Sequence, residues 1–250
     1  MNVKGSIAAI KTAFEDSVVQ RNSEDVTAIA WAVMYLVGGF VLGTARVLGT
    51  AGPFGIAIIA AAGAGVNGVC CLFGAALGYI VSGGLSWGIR YLAAVVIVFT
   101  VEFSFQDTKL YKKTLFAPTT AAAVTLATGV LSSFSQILSD APTIAVVFLE
   151  TVLAFGVSYF IAEALKKDEP TTESAEIRRS TAVLITVAVF MMALSRLVLF
   201  DTLSVGRFAA VLIIMMSSLR CGMMTGCTVG TVFGLAMDIT TGGTPFFTLA

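Results

Sequence analysis

Apolar stretches long enough to cross a lipid bilayer recur along this chain, separated by short polar loops. A helix needs about 20 apolar residues to traverse the hydrocarbon core. Stretches of that character cover residues 28–45, 88–105, 115–138, 144–165, 181–200, 205–219 and 221–239. Only 12% of the 250 residues are charged, whereas soluble domains carry about a quarter. Fifteen basic and fifteen acidic side chains cannot coat a water-facing body of this size. Most of the surface therefore faces lipid, where every backbone polar group must be paired internally. The runs are apolar all round, without the alternation of a membrane β-barrel, so the fold class is all-α: a polytopic transmembrane helix bundle of about 8–10 hydrophobic segments, some short or re-entrant.

Several function classes fall away. Net charge is zero with no basic tract, which argues against nucleic acid as a partner. Histidine is absent, removing the commonest general base and metal ligand. Cys70, Cys71, Cys221 and Cys227 lie in apolar runs without CxxC spacing and read as small hydrophobes. No P-loop, GxSxG or clustered carboxylates occur, so no catalytic, cofactor-binding or metal-binding residue is assigned and the chain is expected not to be an enzyme.

Residues 1–27 alternate charges of both signs and form a cytoplasmic lead-in, with Val3, Ile7, Ile10 and Phe14 at helical spacing. The transmembrane domain occupies 28–250. Its first span ends at Arg46, and the glycines and proline of 49–55 allow no continuous helix. Two short apolar stretches follow at 54–65 and 68–82, and they either cross as thin helices or form a re-entrant pair. Trp87 and Tyr91 read as interfacial anchors for the next span. Lys and Arg concentrate at 109–113, 166–167 and 178–179, which places those loops in the cytoplasm, with the turns at 139–143 and 201–204 outside. The chain ends on Thr248-Leu249-Ala250, which reads as the opening of another hydrophobic helix, so a fragment of a longer protein is expected.

The sharpest pattern is Gly222, Gly226, Gly230 and Gly234, four residues apart, which on one helix form a groove without side chains for backbone-to-backbone packing. Asp238 continues the row. Gly74 and Gly78 repeat the motif, followed by Gly83 and Gly84. Arg46 and Arg207 precede the two glycine-rich stretches, and Gly242-Gly243 echoes the first diglycine, as in a duplicated transporter, although the spacings match poorly. Among ionisable residues within spans, Glu150 and Arg196 lie deepest and are expected to pair; Asp238 and Glu102 are further buried polar candidates. A proton relay is the alternative reading of these groups.

Phe40-Val-Leu-Gly43-Thr-Ala-Arg46, followed by Gly52-Pro53-Phe54-Gly55-Ile56-Ala57, resembles the start of the membrane region of the stage II sporulation protein E family of endospore-forming bacteria. Gly226-Cys-Thr-Val-Gly230, with Gly234 and Leu235, resembles a second hallmark of that region. The resemblance implies a membrane region followed by a cytoplasmic part that engages the division protein FtsZ. It also implies a terminal serine phosphatase of the PP2C class, using manganese or magnesium, that dephosphorylates an anti-sigma-factor antagonist and so activates the forespore sigma factor. Neither cytoplasmic part lies in this sequence, so no catalytic or metal-binding residue carries over. The expected role is membrane anchoring, placement at the polar division septum, and assembly, with the lipid bilayer and further copies of the chain as partners. The rival is a small-solute or ion transporter with broken helices around 52–55 and 63–68, carrying charge on Glu102, Glu150 or Asp238. A purely structural membrane protein is a third reading.

Overall fold

The computed structural model describes residues 26–47, 51–111, 113–134, 141–166, 172–195, 198–199 and 203–241. Helix α1 (Val26–Thr44) turns Val26, Ile29, Val33, Met34 and Val37 outward and buries Gly38 and Gly39. Such outward apolar surface is costly in water and natural in lipid. The helix stops before Arg46, and an isolated antiparallel bridge joins Val47 to Ala51. Pro53, which lacks an N–H, then opens helix α2 (Phe54–Ala62). At nine residues, α2 is about 14 Å long, too short to cross a bilayer core by itself. Residues Phe54 to Ala60 are buried without exception, because α2 lies among the helices Val66–Phe105, Phe116–Ser132 and Ala141–Ala164. An all-round apolar helix of this length is core by nature.

Helix α3 (Val66–Phe105) is continuous in hydrogen bonding but not in direction. Gly84 adopts φ 70° and ψ 177°, a conformation that side chains with Cβ rarely take. The two arms fold back on one another. Tyr79 and Tyr91 stack at 5.0 Å between centroids, and a Cβ at Gly68 would lie 3.4 Å from the Phe99 ring. On a straight helix residues 79 and 91 are about 18 Å apart. The arms 66–83 and 85–105 are thus an antiparallel hairpin, each roughly 27–32 Å long and sufficient for the bilayer. The stretch read as 68–82 is longer in the structure: the helix begins at Val66 and runs to the glycine bend.

The remaining elements are α4 (Phe116–Ser132), α5 (Ala141–Ala164), α6 (Glu173–Leu194), a two-residue antiparallel ladder of β1 (Val198–Leu199) and β2 (Leu203–Ser204), α7 (Val205–Cys221) and α8 (Met223–Thr241). The chain is a polytopic transmembrane helix bundle; α1, α3, α5 and α6 meet the length and hydropathy of a membrane span. α4 packs along α5 and α3, α5 joins α6, and α6 carries the α7–α8 hairpin. The main core surrounds α2, and a smaller one forms from Ala188, Ala210, Val229, Phe233 and Met237. Tyr111 beside Gly63, Lys166 near Thr114 and Arg178 on Glu163 draw the basic loops to one end of the bundle. The Gly84 bend lies at the other.

Candidate functional site

The interior polar groups gather at two places along α2. The first is the break before it. The Gly52 amide donates to the Tyr91 hydroxyl at 3.1 Å, and the Tyr79 hydroxyl donates to the Gly52 carbonyl at 2.6 Å. Irregular backbone is tolerated at membrane depth only where protein satisfies it, and the two tyrosines of the α3 hairpin do so from opposite arms. The Tyr91 hydroxyl passes its own proton bond to Glu150 Oε1 at 2.5 Å. Arg90 pairs with Glu150 Oε2, and the Glu150 side chain is 1% exposed. The result is a chain of contacts from α2's entry, through both arms of α3, to α5.

Arg90 is the cation that Glu150 finds. Arg196, the partner expected from the sequence, lies outside the described residues, and the Arg90 contact was not singled out from the sequence. Its physical reason is topological: the Gly84 bend returns Arg90 alongside α5, which no linear reading of spans anticipates. Tyr91, read as an interfacial anchor, is 2% exposed and belongs to this network. Trp87 is half-buried under the Arg46 guanidinium, whose carbon sits 4.0 Å from the ring centroid. Arg46 also donates to Ser82 Oγ at 2.8 Å, so the cation at the end of α1 is held by the hairpin.

The second place is the basic end of α2. Glu102, 1% exposed, accepts one bond, from Thr120 Oγ1 at 2.8 Å. Among the described residues it has no ion pair. Nearby, Glu163 is 3% exposed and receives Lys166 at 2.5 Å and Arg178 at 2.8 Å, which ties α5 to α6 across their connection. Asp238, the last candidate, stands half-buried on α8 and is not part of either cluster.

The glycine rows divide. Gly74 and Gly78 lie against α1: a Cβ at Gly74 would strike the Leu36 carbonyl and Phe40 amide, and one at Gly78 the Phe40 carbonyl and Gly43. From the other side, a Cβ at Gly43 would come within 2.6 Å of the Ala75 carbonyl, and one at Gly39 would meet that of Cys71. Gly39 and Gly43 thus complete the crossing, and their own four-residue spacing was the signal that could have marked them. In the second row, Gly222 is corrected. It has φ 89° and ends α7, so it is not on the helix with the others, and a Cβ there would meet nothing within 4 Å. Its spacing matches the row, but its place is the turn. Gly226 does pack closely, with its Cβ position 2.7 Å from Ser218 Cβ; Gly230 is in ordinary contact with Ile214, and Gly234 is buried.

Among the described residues no cluster of three His, Cys, Asp or Glu forms a metal site. Cys71 is buried at the α1–α3 crossing, while Cys221 and Cys227 are exposed on the α7–α8 hairpin. No family model, curated protein or solved structure matches this chain.

Proposed function

We propose that this chain is the membrane-anchoring, septum-localising and assembly module of a sporulation serine phosphatase of the stage II sporulation protein E family, multi-pass in the cell membrane with its basic end inside. The observation that carries the reading is where the family-like residues sit. Gly43 closes the α1–α3 crossing, Arg46 caps the hairpin, Gly52 receives both tyrosines, and a Cβ at Gly55 would lie 2.7 Å from the Tyr79 hydroxyl. The first resembling patch is the node through which α1, α2 and α3 meet. A rigid node of this kind suits a module whose task is to hold attached domains at the bilayer and to bring copies together. Through such domains the protein would engage FtsZ and the anti-sigma-factor antagonist, with manganese or magnesium serving the phosphatase. The test is imaging of the chain, fused to a fluorescent protein, in a sporulating bacterium of that group. Enrichment at the polar septum is expected; even distribution around the cell periphery refutes the septal role.

One observation favours the transporter reading: Glu150 and Glu102 are both buried, at opposite ends of the short central helix. Labelling with a water-soluble maleimide separates the two. Reaction at Cys71 indicates an aqueous path along the α1–α3 crossing, and inertness there with Cys71 intact supports the packed anchor.

A further inference from the structure

A cavity of about 230 Å³ opens at the basic end of α2, lined by residues 60–63, Glu102, Tyr111, Lys113 and Lys166. Its chemistry differs from the rest of the interior. Among the described residues the other buried carboxylates each have a cation: Glu150 has Arg90, and Glu163 has Lys166 and Arg178. Glu102 is as buried as Glu150, yet among the described residues it has only the neutral Thr120 hydroxyl, on one oxygen. A carboxylate at membrane depth without a positive partner is costly, by several kcal/mol or more. The cavity wall beside it is the C-terminal end of α2. Gly63 N–H bonds to Ile59, and no backbone amide among the described residues reaches the carbonyls of Ala60, Ala61 or Ala62. A helix C-terminus carries about half a negative charge. Both features call for a cation. The same cavity is also lined by Lys113, exposed, and Lys166, which Glu163 already neutralises. Tyr111, whose hydroxyl accepts from the Ala64 amide at 3.3 Å, is among the lining residues.

We infer that this cavity binds a small zwitterion bearing a primary ammonium and a carboxylate, as an α-amino acid does. The ammonium faces Glu102 and the end of α2, and the carboxylate faces Lys113. A bare metal cation uses the acidic wall but leaves the lysine wall repelling it; an anion does the reverse. The volume lies below that of drug-sized sites, which run from about 300 Å³, and so suits a ligand of few atoms. The inference goes beyond anchoring: it gives the membrane module a ligand to sense from the basic side.

The test is thermal unfolding of the full chain, purified in detergent micelles, with glycine or alanine as probe. At 10 mM probe, a midpoint rise of about 3 °C is expected for millimolar affinity. Methylamine or acetate alone, at the same concentration, produces no such rise. Glu102→Gln, which keeps an acceptor for Thr120, unfolds near the parent temperature and loses the response; Lys113→Gln, at an exposed position, weakens it severalfold. An unchanged midpoint for the parent chain with either amino acid overturns the inference. So does an equal response to methylamine alone, or an undiminished response in Glu102→Gln. None of these outcomes bears on septal placement, which is read separately by the fusion.

Discussion

Separating Arg90 from Glu150 is the most informative perturbation of the bundle core. The two side chains are unequally buried, at 20% and 1% relative exposure. Removing either partner of a buried ion pair leaves an uncompensated charge and typically costs about 3–5 kcal/mol. The inequality sets the order. In Glu150→Leu the guanidinium remains near the Gly84 end and retains some access to polar surroundings, so the loss falls near 3 kcal/mol. In Arg90→Met the stranded carboxylate has only the Tyr91 hydroxyl, and the loss is expected near 5 kcal/mol. The double replacement strands only that hydroxyl, at about 1–2 kcal/mol. The pair is therefore strongly non-additive, with a coupling of about 6–7 kcal/mol from these losses. Reversible unfolding in mixed micelles, with increasing denaturing detergent, measures all four corners of the cycle. Two single losses that add to the double within about 0.5 kcal/mol refute the claim that these residues meet.

Two further changes probe the hairpins. Gly226→Leu places a side chain where even a Cβ lies 2.7 Å from Ser218, so α7 and α8 cannot close; a loss of several kcal/mol, seen as protease sensitivity of the hairpin with α1–α5 protected, is expected on overpacking grounds, and parent-like resistance refutes the contact. Gly84→Ala adds a methyl group in open space but forces φ 70° on a residue with a Cβ; the loss is about 1–2 kcal/mol, measured in the same micelles, and a neutral result means that the bend has another geometry.

The membrane character and most helix positions were legible because hydropathy and span length are properties of contiguous residues. So was the deep burial of Glu150, since a carboxylate in a long apolar run has few surfaces to reach. Its partner was not legible. Arg90 and Glu150 are sixty residues apart, and only the reversal at Gly84 brings them together. Glycine spacing showed the same limit. Gly74 and Gly78 mark a helix face, but their complement on α1 is visible only when the parallel run of α1 and the first arm of α3 is known. Gly222 keeps the spacing of a packing row yet serves as a helix stop. Periodicity counts positions and cannot distinguish a face from a turn when both use the same residue.

The two polar clusters along α2 bear differently on what the bundle does. A broken helix flanked by carboxylates has the outline of a transport site, and also the outline of a mended defect. What separates them is where each polar atom is spent. At the break, the amide and carbonyl of Gly52 are both taken, and so are both oxygens of Glu150. Arg90 Nε is buried there without an acceptor among the described residues, but a solute reaching Gly52 or Glu150 would have to displace bonds already made in low dielectric. At the basic end the count does not close: Glu102 has one neutral donor, and the last carbonyls of α2 have no backbone amide among the described residues. The first cluster is therefore a fastening and the second a place left for something from outside. That asymmetry puts any responsiveness of the bundle at the end where Lys113 and Lys166 gather.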